Sequence, residues 1–178
     1  MKLAAGNKVV YPSLGPCLIG PVIEKTVSNS QISFYHLELL DDSGGTLLVP
    51  VNKVEEIGIR LLLKRSDIPK LLGKLRLTAI PTKDWKQRAN DNLKRLTSGS
   101  AFDLAEIVES LSELKKVKSL SFRENWTLER AKKLLICEIS EVMGETRNFA
   151  EKKVDQALSA ERKERKLPRA LPTGLHAA

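Results

Sequence analysis

The residues best suited to bind a ligand lie close together in "DWKQRANDNLKR", residues 84–95. Trp85 has an indole face on which a nucleobase can stack, and Lys86, Arg88 and Lys94 carry cations that neutralise phosphates. An aromatic ring in the first turn of a basic helix is one arrangement by which a protein inserts a wedge into nucleic acid. Such binding needs positive charge and a flat ring, and no nucleophile or proton transfer.

The same tryptophan has a second interpretation, as a core anchor. At about 100° per residue, four side chains fall on one stripe of the helix: Trp85, Ala89, Leu93 and Leu96. The stripe by itself favours a buried ring. The adjacent Lys86 and Arg88, and the positive end of the helix dipole, favour an outward ring. The pattern leaves both interpretations open.

A second tryptophan, Trp126, lies on a longer predicted helix spanning residues 122–143. The predicted core stripe of that helix consists of Leu128, Ala131, Leu135, Ile139 and Val142. Trp126 projects almost opposite this stripe, with Arg130, Lys133 and Cys137. It either packs beneath another helix or adds a second aromatic ring to a basic face.

Patterns for catalysis and metal binding are absent from the sequence. There is no GxGxxG, P-loop, HExxH or GxSxG motif. His36 and His176 have no Ser or Cys at a spacing that would activate a nucleophile. Cys17 and Cys137 lie far apart without CxxC spacing. We therefore expect a protein that is not an enzyme, with no metal, cofactor or disulfide, in a reducing cytoplasm.

Positive charge is concentrated in one part of the chain, whose formal net charge is +8. Residues 60–95 carry 11 Lys/Arg and 3 Asp/Glu, whereas residues 1–59 carry 4 and 6, and residues 96–178 carry 15 and 13. A local excess of cations attracts a polyanion, usually nucleic acid or a membrane surface. The alternative is a lysine-rich face that is merely solvated.

Short strands separated by turns are predicted up to about residue 60. The predicted strands are 8–12, 17–27, 32–40 and 46–51, and "SNSQ" and "DDSGG" form turns. Gly20 and Pro21 predict a bend or bulge. Pro50 cannot donate to a β-ladder, so its strand is predicted to be an edge. Four or five such strands predict a small, bent antiparallel sheet or barrel.

From about residue 66 the apolar period changes to 3.6 residues, as in helices. Helix caps are predicted at Ser66, Thr82, Ser100, Ser121 and Thr146. The predicted apolar faces consist of Ile68, Leu71, Leu72 and Leu75 after the first cap, and of Leu104, Ile107, Val108 and Leu111 after the third. Ser121 and Glu124 predict a capping box for a helix that ends at Gly144. The helix with Trp85 is predicted to end near Ser98 and Gly99, and the last helix near residue 160.

These elements predict an α+β protein of two domains. Residues 1–62 form a β domain, residues 66–160 form an all-α domain, and residues 161–178 form a flexible basic tail. No apolar run approaches the ~20 residues that a membrane span requires. The N-terminus lacks the charged and apolar regions of a secretory signal. We expect a cytoplasmic monomer without membrane contact.

Three segments in order carry a resemblance to a known family: "GNKVVYPSLGPCLIGPVIEKTV", "LLVPVNKVEEIGIR" and "DWKQRANDNLKRLTSG". They resemble the CarD/CdnL family of bacterial RNA-polymerase-binding transcription regulators, and the similarity extends from about residue 6 to 143. The resemblance implies a Tudor-like N-terminal sheet, as in the polymerase-interacting domain of transcription–repair coupling factor. It implies that this sheet docks on the β subunit of RNA polymerase.

The resemblance also assigns roles to individual positions. The residues matching the family's polymerase surface are Lys25, Leu48, Val49 and Pro50, and family members often carry arginine at the position of Leu48. Trp85 matches a tryptophan that wedges into the minor groove at the upstream edge of the transcription bubble. Lys86, Arg88 and Lys94 are then the expected DNA contacts, with Arg130, Lys132 and Lys133 as secondary ones.

The implied function is an accessory regulator, nucleoid-associated, that bridges RNA polymerase to promoter DNA and stabilises the open complex. Two other classes remain open. One is an adaptor between proteins whose basic patch makes no DNA contact. The other is a nucleic-acid-binding protein that works without polymerase, although the β half offers few aromatic side chains for a sheet-based RNA reader.

Overall fold

The computed structural model describes residues 3–41, 43–76 and 84–160. Within these residues a five-stranded antiparallel sheet precedes a helical region, so the α+β prediction is confirmed. The strands are β1 (Lys8–Tyr11), β2 (Gly15–Val27), β3 (Ser30–Leu39), β4 (Thr46–Pro50) and β5 (Arg60–Leu61). Their order is β4-β3-β2-β1-β5, which makes β4 an edge strand, as predicted. The predicted cap Thr82 and the tail 161–178 lie outside the described residues.

The long hairpin of β2 and β3 dominates the sheet. Ser28 and Asn29 form its turn with positive φ angles of 49° and 63°, the left-handed backbone that matches the twist of a tight hairpin. The strand register shifts between Ile19 and Val22, which confirms the bulge predicted at Gly20–Pro21. A Cβ at Gly20 would lie 3.1 Å from Nδ1 of His36. Glycine therefore lets the bulged strand approach β3.

The β domain has an apolar core of its own, on one face of the sheet. The short helix α1 (Val54–Ile57) contributes Val54 to this core. Its other buried members are Leu3, Val9, Cys17, Ile19, Tyr35, Leu37, Val49 and Ile59. Burial raises the pKa of the Cys17 thiol to about 11, so this side chain stays neutral at physiological pH. β5 was not predicted because a two-residue strand has no periodic signal.

The helical domain contains α2 (Ile68–Lys74), α3 (Trp85–Thr97), α4 (Ala101–Val117), α5 (Phe122–Met143) and α6 (Arg147–Ser159). Ser100, Ser121 and Thr146 cap α4, α5 and α6, and each accepts a backbone N–H three residues ahead, as predicted. The capping box of Ser121 and Glu124 is present. The prediction of Ser66 as a cap was wrong, because a 3₁₀ turn at Arg65–Asp67 runs directly into α2.

The second apolar core lies among the helices, with α5 at its centre. The predicted core stripe of α5 is confirmed for Leu128, Ala131, Leu135 and Ile139, all buried, and Val142 packs against them while partly exposed. Ile68, Leu71 and Leu75 bring α2 onto the same core, and Leu104, Ile107, Val108 and Leu111 bring α4. This packing fixes the positions of α3 and of the α4–α5 connection, which border the candidate site.

Charged groups on α5 also connect the two domains. The guanidinium of Arg60, on β5, donates two hydrogen bonds of 2.7 and 2.9 Å to the carboxylate of Glu138. Glu138 is buried, with 1% of its surface exposed. The same carboxylate accepts the backbone N–H of Leu63 at 3.1 Å. Nε of Arg60 donates to the carbonyl of Gly99 at 2.7 Å. One buried carboxylate thus holds the chain at the point where it leaves the sheet.

Close backbone approach completes the contact between the domains. A Cβ at Gly15 would lie 2.9 Å from Cδ2 of Leu134, and Gly15 has a φ of +100°. A side chain there would clash and would strain the backbone. Arg130 donates from α5 to the carbonyl of Ser13 at 2.6 Å. The sheet and α5 are therefore packed against each other in a defined orientation.

Candidate nucleic-acid interface

The buried face of helix α3 coincides only in part with the stripe that its apolar pattern favours. Trp85 is 62% exposed and Leu93 is 49% exposed, whereas Arg88, Asn92 and Leu96 are buried. The interpretation of Trp85 as a core anchor is therefore wrong. The physical reason is that the inward face carries two polar residues that the sequence pattern does not place there. Arg88 is paired with a carboxylate, and Asn92 lines a groove.

Arg88 is held in the protein interior by a carboxylate of α5. Its Nη2 and Nε donate to Oε1 of Glu124 at 2.6 and 3.0 Å, and the two side chains are 8% and 15% exposed. Burial acts to raise the pKa of Glu124. Hydrogen bonds from the Ser121 backbone, from Arg88 and from the Ser121 hydroxyl, together with the charge of Arg88, outweigh burial and lower this pKa to about 2. The pair is thus charged at neutral pH.

This ion pair corrects the expectation that Arg88 contacts DNA. The guanidinium is buried and already engaged, so it is not available to a phosphate at the surface. Its role is to anchor α3 to the capping box at the start of α5. Because the anchor lies one turn after Trp85, it fixes the helix face on which the indole projects.

Trp85 borders a groove of about 570 Å³ between α3 and the start of α5. Ala89 and Asn92 continue the α3 wall, and the opposite wall is formed by Lys118, Ser119, Leu120, Ser121, Arg123 and Thr127. The Arg88–Glu124 pair crosses the groove. This volume lies within the range of about 300–1,000 Å³ found for small-ligand sites.

Three exposed cations lie beside the indole or on the wall of the groove, and a fourth, Lys94, lies on another side of α3. Nζ of Lys86 lies 5.5 Å from the centre of the Trp85 ring, a cation–π distance. Lys94 is exposed farther along α3. Lys118 and Arg123 are exposed on the opposite wall, and neither forms an ion pair within the described residues. The structure therefore presents one flat aromatic ring among cations that are free to meet phosphates.

Lys118 and Arg123 were missed by the sequence analysis, as was the buried Asn92. A signal existed for the two cations, because Lys118 lies in the four-residue connection between α4 and α5 and Arg123 lies in the first turn of α5. Nothing in the sequence places that connection beside Trp85, since the contact joins segments about thirty residues apart. Asn92 had been left out because polar residues are ordinarily assigned to an exposed helix face.

Arg130, Lys132 and Lys133 lie away from this groove, around a smaller cleft of about 200 Å³ between the domains. Arg130 is bonded to Ser13, and Lys132 pairs with Asp155 at 2.9 Å and Glu151 at 3.4 Å. Burial acts to lower the pKa of Lys132, but these two carboxylates raise it above its ordinary value. Arg130 and Lys132 thus hold elements of the protein together and do not fit the predicted role of secondary DNA contacts. Lys133 is exposed and retains that prediction.

Trp126 is 55% exposed and projects away from the core stripe of α5, as the helical pattern predicts. Phe122, four residues earlier on the same helix, is 88% exposed. Cys137 was expected on this outer face but is buried, because its thiol lies against the carbonyl of Leu40 in the β domain. Trp126 does not line the groove beside Trp85.

The strand pairing places most of the predicted polymerase surface on one face of the sheet. Lys25 pairs with Ile32, and Pro50 and Leu48 pair with Phe34 and His36. Alternate residues of β3 point to the same side, so Lys25, Leu48 and Pro50 share the face opposite the core. Val49 pairs with Tyr35 and points into the core at 3% exposure. The Val49 side chain is therefore not on that outer face, and a partner contact at this position stays a prediction for the backbone of the edge strand.

The described part of the chain offers neither a cluster of metal ligands nor a membrane-spanning helix. No group of three or more His, Cys, Asp or Glu side chains there is placed to hold a metal ion. None of the helices described is long and apolar enough to cross a bilayer. Cys17 and Cys137 are buried and form no disulfide.

Two family models match the chain, one over each domain. Residues 3–62 match the CarD-like/TRCF RID domain, and residues 75–155 match the CarD C-terminal domain. A Bacillus subtilis (strain 168) protein named "Putative transcription factor YdeB" is 28% identical over 145 residues, covering 79% of this chain and 92% of that protein. The solution NMR structure of the 72-residue N-terminal domain of Myxococcus xanthus CarD is 35% identical, covers 34% of this chain and 79% of that one, and has a TM-score of 0.29. The chain belongs to the CarD/CdnL family of transcription regulators, with an N-terminal domain of the polymerase-interacting type.

Proposed function

We propose that the protein binds the β subunit of RNA polymerase through its sheet, and stabilises the open promoter complex by placing Trp85 at the upstream edge of the bubble. The observation that carries the proposal is the 62% exposure of Trp85 among unpaired cations, in a chain whose sheet is of the polymerase-interacting family. Lys25, Leu48 and Pro50 form the docking face. Lys86, Lys118 and Arg123 neutralise phosphates beside the indole, and Lys94 stays a predicted DNA contact on another side of α3.

The mechanism requires only that Trp85 binds melted DNA better than closed duplex. An indole enters between bases at little cost where the strands are already separating, whereas an intact duplex must first be unstacked. A ligand shifts an equilibrium by its differential affinity for the two states. Stacking worth about 1–2 kcal/mol more in the open state changes the ratio of open to closed complexes by about 5- to 30-fold.

The test is the Trp85→Ala variant in a promoter-complex dissociation assay with a DNA competitor. We expect the variant to bind polymerase normally and the open-complex lifetime to fall by about 5- to 30-fold, because only the stacking contribution is removed. The matched control is Trp126→Ala, since Trp126 is similarly exposed at 55% but lies outside the groove. An unchanged lifetime with Trp85→Ala would remove the wedge from the mechanism.

A further inference from the structure

The groove beside Trp85 contains a buried amide without a hydrogen-bond partner. Asn92 is 4% exposed and lines the groove, and its side chain has no partner among the described residues. A buried polar side chain left unsatisfied costs about 1–3 kcal/mol, and such groups in a folded protein call for an explanation. A ligand that enters the groove and bonds to this amide would supply one.

The position of Asn92 relative to Trp85 indicates the size of that ligand. The two residues are seven positions apart on α3, so they share one helix face and are separated by about 10 Å along the axis. Ala89 lies between them, and its small side chain leaves the space over the helix open. The groove thus has an aromatic wall at one end, an amide at the other, and room for a flat group between them.

The charges at the rim indicate the chemical class. Lys118 and Arg123 are exposed on the wall opposite α3, and neither has a carboxylate partner in the described part of the chain. The one carboxylate lining the groove, Glu124, is already neutralised by Arg88. The exposed cations at the rim therefore favour a ligand with an anionic backbone.

We propose that the groove is a pocket for one unpaired nucleobase of the promoter DNA, extruded from the stack at the edge of the melted region. Asn92 offers a donor and an acceptor to the base edge, as an amide does when it reads a base. Trp85 covers the base face, and Lys118 and Arg123 bind the adjoining phosphates. A paired base cannot enter, because its edge is occupied and its faces are stacked. This inference rests on the proposed function and adds a second element that recognises melted DNA.

The experiment uses the full-length protein, RNA polymerase and fork-junction promoter DNA with an unpaired strand next to the fork. Abasic sites are placed singly at each unpaired position, and the lifetime of the complex is measured with and without the protein. We expect one position at which removal of the base reduces the protein-dependent gain in lifetime by about 3- to 10-fold, the value of one or two hydrogen bonds. A gain that is insensitive to every abasic site would overturn the pocket.

Two variants assign the effect to the groove. Asn92→Leu removes the amide at nearly constant volume and is expected to keep the fold, because it replaces an unpartnered buried polar group by an apolar one. Ala89→Leu fills the groove without changing Trp85. Each should shorten the lifetime on intact DNA by about 3- to 10-fold and have no further effect on the abasic DNA that responds. A variant that shortens the lifetime equally on both DNAs, or that changes it on neither, contradicts the proposal.

Asn90→Leu is the matched control, since Asn90 is exposed on the same helix and should affect intact and abasic DNA equally. Trp85→Ala in the same assay separates the pocket from the wedge. If Trp85→Ala shortens the lifetime and Asn92→Leu does not, the pocket is wrong and the wedge stands. If neither variant changes the lifetime, both proposals fail.

Discussion

The charged residues around Trp85 differ in what they meet when α3 packs, and this decides their roles. Lys86 and Arg88 are two positions apart, yet one lies over the indole at the surface and the other is buried against Glu124. In the sequence the two look equivalent, because both are cations in the first turn of a basic helix. The difference depends on a carboxylate 36 residues away. The sequence therefore predicts that cations cluster around Trp85, but it does not predict which partner each cation has.

A pH dependence of stability follows from the Arg88–Glu124 pair. The folded-state pKa of Glu124 is lowered from an ordinary 4.5 to about 2, so this carboxylate stabilises the fold above pH 4.5 and loses that effect as pH falls towards 2. We expect Glu124→Gln to be less stable than the wild type at pH 7. The difference should shrink between pH 4.5 and 2, as measured by urea unfolding at several pH values.

The control for this pH series is Glu145→Gln, which removes an exposed carboxylate outside the pair. It should change the free energy of unfolding by less than about 0.5 kcal/mol, as surface substitutions usually do. A Glu124→Gln deficit of constant size from pH 7 to pH 2.5 would show that charge on Glu124 does not contribute to the fold.

At the scale of elements, helix bounds were easier to predict than helix orientation. Local rules located α4, α5 and α6, because Ser100, Ser121 and Thr146 are caps followed by clear apolar stripes. For α3 the same stripe argument was right for Leu96 but wrongly favoured burial of Trp85 and Leu93. That helix buries Arg88, which pairs with Glu124, and Asn92, which lines a groove. The periodicity of apolar residues cannot detect buried polar side chains of this kind.

Helix α5 serves both as the centre of the helical core and as the brace to the sheet. Glu138 receives two hydrogen bonds from Arg60 and one from the Leu63 backbone; its carboxylate is buried, and the Arg60 side chain is 29% exposed. We expect Glu138→Gln to lower the free energy of unfolding by about 2 kcal/mol, because it leaves the partly buried Arg60 cation with an uncharged partner. Chemical denaturation monitored by circular dichroism measures this change.

The matched comparison is Glu141→Gln, one turn later on the same helix. Glu141 pairs with Lys8 at 2.7 Å across the same domain boundary, but Lys8 is 46% exposed. An exposed pair of this kind contributes about 0–1 kcal/mol. Equal effects of the two substitutions would contradict the assignment of Glu138 as the main electrostatic brace.

At the scale of the whole molecule, each of the two domains has an apolar core of its own, and the positive charge is unevenly distributed along the chain. Strand alternation and the change of period at residue 66 were sufficient to predict the two-part architecture. The packing of α5 against β2 was not predictable, since it depends on Gly15 lying against Leu134. That packing matters because it sets the direction in which Trp85 projects relative to the proposed docking face of the sheet.

The two domains should therefore act on DNA only as a unit. On the proposed function, the surface that meets DNA is small, and a few phosphate contacts give weak affinity at physiological salt. Docking on polymerase would convert DNA binding into an intramolecular step, with an effective concentration that reaches the millimolar range for a short connection. We therefore expect most of the affinity for the open complex to come from the sheet, and the selectivity for melted DNA to come from the helical domain.

This division predicts the outcome of disabling the docking face alone. Lys25→Glu combined with Pro50→Arg changes two residues on the outer face of the sheet and leaves Trp85, Asn92 and both cores intact. We expect loss of polymerase binding in a pull-down and loss of the lifetime gain at protein concentrations that saturate the wild type. Raising the concentration of the variant about a hundredfold should restore part of the gain, because the wedge itself is unchanged and only its local concentration has fallen. Lys64→Glu, an exposed charge reversal outside the sheet, should behave as the wild type in both assays. If the docking variant still binds polymerase, the polymerase surface lies elsewhere on the protein.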